Sequence, residues 1–272
     1  MLSLVTGKSR VRPTAVAGLF YPQGADELRR TVLRLLDEAP PPARAAPAPK
    51  ALIVPHAGYV YSGAVAAAAY RRLRDSGAPI DRVVLIGPSH RVPMRGMAMP
   101  SVDAFETPLG AVPIDSAARQ RLRELGLAGV SDAAHAAEHA LEVQLPFLQV
   151  VLPEFEVLPI TIGLAPPGQV ARALGALWNG PSTLVVVSSD LSHYHTFAEA
   201  KLLDDQTREA ILARRSDLSD EQACGSCAIN GLLEVARQKG LAVELLDQRN
   251  SGDTAGDRSR VVGYGSYALH AA

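Results

Sequence analysis

The sequence predicts an α/β fold, a single domain with a mostly parallel central sheet and helices on both faces. Three observations predict it. Short uninterrupted apolar runs at residues 51–54, 83–86 and 183–188 have the length and aliphatic content of strands buried on two sides. Stretches of helical periodicity alternate with them, which is the order of a parallel sheet covered by its own crossovers. A chain of 272 residues, 47% hydrophobic and 20% charged, supplies an ample core.

The elements follow in order. Residues 11–22 form an arm punctuated by Pro and Gly, and 25–38 carry Leu28, Val32, Leu35 and Leu36 at helical spacing. Residues 39–49 are almost wholly Pro and Ala, a surface linker inside the domain, because the segment before it is too small to fold alone. After the strand at 51–54 comes a helix at 62–76, with Gly77 as its C-terminal cap. The strand at 83–86 leads into a long loop over 91–110, with a short strand at 97–99. Long ordered loops tend to serve function. Helices are expected at 115–125, capped by Asp115, and at 136–150, bearing His139. A strand at 155–162, a helix at 168–178, the strand at 183–188 and a helix at 197–213 come next. A helix opened by Cys224 and reaching 238, then strands at 242–246 and 261–269, complete the chain.

Charge and cysteine content narrow the function classes. With 27 basic against 28 acidic residues and no basic cluster, the chain has no electrostatic footprint for nucleic acid or an anionic membrane. No apolar stretch reaches the length of a membrane span, and the first ten residues hold too short an apolar run for a signal peptide, so a cytoplasmic address is expected. The two cysteines, Cys224 and Cys227, lie too close together for a disulfide framework. Phosphate-cradle glycine motifs and a G-x-S-x-G elbow are absent.

What remains is histidine. Each apolar run ends in a polar group: P-H at Pro55-His56, G-P-S-H at Gly87 to His90, and S-S-D-L-S-H at Ser188 to His193. In an open α/β sheet the crevice beyond the carboxyl ends of the strands is where ligands bind, so three such ends predict one shared site. Neutral imidazole is the commonest metal ligand, and two imidazoles with one anion leave positions open for water or substrate. Asp190 could be that anion, as in two-histidine, one-carboxylate iron sites. Cys224 is the other candidate, because a thiol at a helix start feels the positive end of the dipole and is favoured as thiolate.

Competing motifs are weaker. His135-Ala-Ala-Glu138-His139 matches H-x-x-E-H, in which two histidines share a helix face with Glu138 as base. Cys224-x-x-Cys227 lacks a second pair for a zinc knuckle. Ser188 and Ser189 near Asp190 and His193 do not have triad spacing.

The ordered motifs together carry a resemblance. R-P-T-A-V-A-G-L-F-Y-P at 12–22, P-H-A-G-Y at 55–59, G-P-S-H at 87–90, T-P-L-G at 107–110, E-H-A-L-E-V-Q-L-P-F at 138–147, S-S-D-L-S-H at 188–193, Cys224-Gly225 and N-S-G-D at 250–253 are similar to the Memo family, in prokaryotes AmmeMemoRadiSam system protein B. The resemblance implies the fold of class III extradiol dioxygenases, which are non-haem iron enzymes. It implies His56, His90 and Cys224 as metal ligands, Asp190 and His193 as pocket residues with His193 in the place of an acid/base histidine, and His139 lining or buttressing the site. Iron is the metal implied first, with copper or zinc as alternatives, and a redox role follows. A radical S-adenosylmethionine protein and a third system component are the implied partners. A cysteine where the dioxygenases present a carboxylate argues against catechol ring opening, because thiolate suits copper(I), zinc or redox-tuned iron. The resemblance also admits a peptide- or protein-binding module, for which Met94, Met97 and Met99 would offer an adaptable surface.

Overall fold

The computed structural model describes residues 9–41, 47–178 and 180–271; the extreme N-terminus and the middle of the Pro/Ala linker at 42–46 lie outside the described residues. The first half of the chain runs β1 (Val11–Arg12), α1 (Ala25–Glu38), β2 (Ala51–Val54), α2 (Tyr59–Ser76), β3 (Arg82–Pro88), β4 (Met97–Met99), β5 (Ala104–Thr107), β6 (Gly110–Pro113), α3 (Ser116–Glu124) and β7 (Gly129–Val130). It continues through α4 (Asp132–Ala136), α5 (Leu145–Val151), β8 (Glu156–Ile162), α6 (Pro167–Leu177), β9 (Thr183–Ser188), β10 (His193–His195) and α7 (Phe197–Leu212). The last elements are α8 (Ser226–Lys239), β11 (Leu241–Asn250), α9 (Ser251–Thr254) and β12 (Val261–Ala271).

The large sheet has the order β10-β12-β2-β9-β3-β8-β4-β7, with β11 paired to β12. Its centre, β2-β9-β3-β8, is wholly parallel, and the flanking pairs β12-β2 and β4-β8 are antiparallel. Strand periodicity divides the core in two. Ala51, Ile53, Val84 and Ile86 face α3, α6, α7 and α8, while Leu52, Val54, Val83 and Leu85 face α1, α2 and α5. That double burial is why these strands read as unbroken apolar runs rather than alternating ones.

Local signals set the helix ends. Gly77 takes the left-handed conformation at φ 60 after α2, the Asp115 side chain accepts from Ala118 N–H at 2.8 Å, and Thr196 with Glu199 forms a capping box on α7.

Three expectations are corrected. The loop over 91–110 contains β5, whose hairpin with β6 turns at Thr107↔Gly110 and joins β1 in a small separate sheet. Its turn is fixed by Leu109 N–H donating to Thr107 Oγ1 and by Gly110 at φ 120, which is why T-P-L-G occurs there. The helix expected over 136–150 is broken: α4 ends at Ala136, a short 3-10 turn covers Glu142–Gln144, and α5 begins at Leu145. The helix expected to start at Cys224 begins at Ser226, with Gly225 as its cap.

Candidate metal centre

Adjacent parallel strands deliver the site. In register, Val54 of β2 lies beside Ser188 of β9, and Val187 of β9 beside Ile86 of β3, so Pro55-His56, Ser189-Asp190 and Ser89-His90 leave the sheet at neighbouring points of one edge. Opposite them, Gly225 packs on β9. Its N–H donates to Ser189 Oγ at 2.9 Å, and a Cβ there would fall 2.7 Å from Ser189 Cβ, so only glycine lets the start of α8 approach this closely. Cys224 is thereby placed with its sulfur 3.3 Å from His56 Nε2.

His56, His90 and Cys224 present nitrogen and sulfur atoms that all lie within 4.8 Å of one another. The hydrogen bonds behind them decide which nitrogens face inward. Ser188 Oγ has a single proton and donates it to the Ala140 carbonyl at 2.6 Å, so it accepts from Gln144 Nε2 at 2.8 Å and from His56 Nδ1 at 3.0 Å. His56 therefore carries its proton on Nδ1 and leaves a lone pair on Nε2. His90 is held in the same way: its Nδ1 donates to Glu138 Oε1 at 2.9 Å and its backbone N–H to Oε2 at 2.6 Å, which turns Nε2 away from the carboxylate. Burial raises the Glu138 carboxyl, but the hydrogen bonds from His90 and Ala140 outweigh it and bring it to about 2. His56, buried and close to His90, is driven down to about 3 and is neutral.

Two imidazoles and a sulfur whose donor atoms gather within 4.8 Å, each imidazole oriented by an anion or hydroxyl behind it, form a donor set that suits a metal ion. Cys224 departs from the sequence expectation in one respect. Burial and the neighbouring Asp190 carboxylate push its thiol up to about 12, so the dipole of α8 does not lower it. A cation between the three donors is what would hold the sulfur as thiolate.

The other expected residues are placed as follows. Asp190 is buried, and its Oδ1 accepts from the His56 backbone N–H at 2.7 Å; it fixes the loop that carries the ligand and is not among the converging donors. His139 stacks on His90 with centroids 4.7 Å apart and stands edge-on to His56 at 5.4 Å, its Nδ1 3.3 Å from Glu138 Oε1. His193 lies in the cleft that opens over the cluster, about 710 Å³ in volume, and His195 and Cys227 line it too. Between the two histidines Tyr194 has φ 63, and the pairing of β10 with β12 is irregular at this point. A further cleft of about 630 Å³ lies at the opposite, amino-terminal ends of β3 and β8, lined by Arg82 and Glu156, away from the histidines.

His135 does not belong to the site. Its Nε2 donates to the Ala98 carbonyl at 3.0 Å, its ring meets Phe105 edge-on, and α4 ends before His139, so the H-x-x-E-H residues do not share a helix face. Met97 and Met99 are buried in β4, which leaves Met94 as the methionine of that trio on the cleft. Sequence reasoning missed the supporting residues Ser188 and Gln144, the pairing of Glu138 with His90, and His195. The motif E-H-A-L-E-V-Q contained Glu138 and Gln144 but said nothing of their partners.

Known proteins resemble most of the chain. The family model described as "Memo-like protein" matches residues 12–268. A MEMO1 family protein of Aquifex aeolicus is 37% identical over 271 residues, covering 94% of this chain and 97% of its own. One from Ignicoccus hospitalis is 38% identical over 289 residues, covering 93% and 96%. Among solved structures, the uncharacterized protein JW3007 of Escherichia coli K12 has the same fold, with a TM-score of 0.53 at 14% identity over 79% of this chain and 98% of that one.

Proposed function

Because this chain belongs to the Memo family, we propose that it holds one mononuclear redox metal between His56, His90 and Cys224, iron in the first place, with copper or zinc as alternatives. The observation that carries this reading is the gathering of one ring nitrogen each from His56 and His90 with Cys224 Sγ within 4.8 Å, His56 Nε2 lying 3.3 Å from the sulfur, with both rings oriented by their partners. When bound, the metal supplies electron transfer and open positions for a small ligand; the sulfur favours softer, redox-tuned ions over the hard site of ring-opening iron enzymes.

The chain's own residues do the rest. Asp190 and Ser188 fix His56, and Glu138 fixes His90. His193 and His195, which line the cleft, hold or move a proton on whatever binds there, and Pro93, Met94 and Leu164 add apolar surface to the same lining. In this reading the protein acts in the cytoplasm with a radical S-adenosylmethionine protein and a third component. With Met97 and Met99 buried, Met94 is the residue of that trio left to serve the alternative reading as a peptide-binding module. An extradiol dioxygenase is disfavoured by the thiolate. Among the described residues no helix is long and apolar enough to cross a membrane.

Metal analysis of anaerobically purified protein tests the reading. Wild type is expected to carry one ion per chain and the His56→Ala and Cys224→Ser variants far less; equal content in all three would overturn it.

A further inference from the structure

The C-x-x-C pair has no role in the metal site as described, since only Cys224 joins the converging donors. Yet Cys224 and Cys227 are both free, and both line the cleft beside His90 and His193. Gly225 at φ −96 and ψ 23 and Ser226, the first residue of α8, put both central residues of the stretch 224–227 in the right-handed turn region, with Cys227 in the first turn of the helix. Four residues in such a turn keep their terminal Cα atoms within about 7 Å. A disulfide needs about 4.4–6.8 Å, so the backbone need move little to close one. The ring so formed spans few residues and stabilises the fold little by entropy, which marks a reversible bond rather than a structural one.

We infer that Cys227 is a redox partner of Cys224, forming with it a reversible disulfide on exposure to hydrogen peroxide and so withdrawing the sulfur from the metal-binding set. The chemistry balances. The Cys227 thiolate attacks one peroxide oxygen, the O–O bond breaks, and the departing oxygen leaves as water after protonation, giving a sulfenic acid. The Cys224 sulfur then attacks the Cys227 sulfur, the S–O bond breaks, and hydroxide leaves with the Cys224 thiol proton as a second water. Two thiols are oxidised and one peroxide is reduced. The disulfide stands on its own geometry, whereas its effect on metal rests on the function proposed above.

The test treats metal-free wild type, Cys227→Ser and Cys227→Ala with hydrogen peroxide, removes the oxidant, and reads thiol content, intact mass and then iron(II) uptake. Wild type is expected to lose both thiols and two hydrogens of mass as a monomer, to lose iron uptake, and to recover both on treatment with dithiothreitol. The two variants should gain oxygen at Cys224 or stay unchanged, with no internal disulfide. A wild type that keeps its thiols, or that gains oxygen as the variants do, overturns the inference. If reduced wild type takes up no iron, the metal reading falls and the mass measurement still decides the disulfide.

Discussion

The carboxylate of Glu138 orients His90 and its loop: one oxygen takes the ring proton of His90, the other its backbone N–H, and Ala140 N–H adds a third bond at 2.9 Å. Glu138→Gln keeps the shape but puts an amide N–H₂ where one of those donors must be accepted. Metal affinity is therefore expected to fall about 10–100-fold with the fold retained, as read by titration against a competing chelator alongside circular dichroism. An unchanged affinity would remove Glu138 from the site. His135 makes a different prediction. Burial lowers it to about 4 from an unfolded value of 6.5, so between these values the unfolded chain binds more protons than the folded one. Stability from this group is thus present above about pH 6.5 and lost as pH falls toward 4, by at most about 3 kcal/mol. His135→Gln, which retains a donor for the Ala98 carbonyl, is expected to flatten that limb of the pH–stability curve measured by urea unfolding; a limb as steep as in wild type would contradict it.

At the scale of elements, the break between α4 and α5 is what brings Glu138 and His139 into the site, and the N-terminal arm holds the break open. Glu142, fully buried, accepts from Arg12 at 2.6 Å, from Tyr21 Oη at 2.6 Å and from the N–H groups of Ala15 and Val16. Arg12 also donates to the carbonyls of His135 and Glu138, and Phe20 packs on the His139 ring at 4.7 Å. The arm is therefore a clamp on the segment carrying the site's buttress. Removing one partner of a buried pair strands the other. Glu142→Leu is expected to cost about 3–5 kcal/mol, and the double variant with Arg12→Met less than the sum of the two single changes. Thermal melts of the three variants check this; simple additivity would mean that the two residues are not coupled. Apolar periodicity across 136–150 suggests one helix because Leu141, Leu145 and Leu148 are buried; these three do share a continuous turn and helix, but residues 137–140 separate that run from α4. The arm, more than a hundred residues away in sequence, supplies the donors that satisfy Glu142 just beyond the interruption.

Across the whole molecule, the parallel centre of the sheet separates two cores, one under α1, α2 and α5, the other under α3, α6, α7 and α8. Leu36→Ala and Leu232→Ala empty space on opposite faces. Each is expected to cost about 2–5 kcal/mol, and the pair to add within about 0.5 kcal/mol, measured by denaturant unfolding. Strong coupling would mean that the faces are not independent. The sequence by itself determined the strands at 51–54 and 183–188, the helix at 25–38, the caps at Gly77 and Asp115, and the polar residue at each strand end. Those features arise from side-chain period and backbone propensity, which act between near neighbours. Tertiary structure alone decided that Cys224 and not Asp190 stands with His56 and His90, that His135 is spent on a backbone carbonyl, and that Ser188 and Glu138 choose the imidazole tautomers. Each of those outcomes depends on a hydrogen bond or a close approach between residues tens to more than a hundred positions apart, and local sequence carries no record of where such a partner will come to rest.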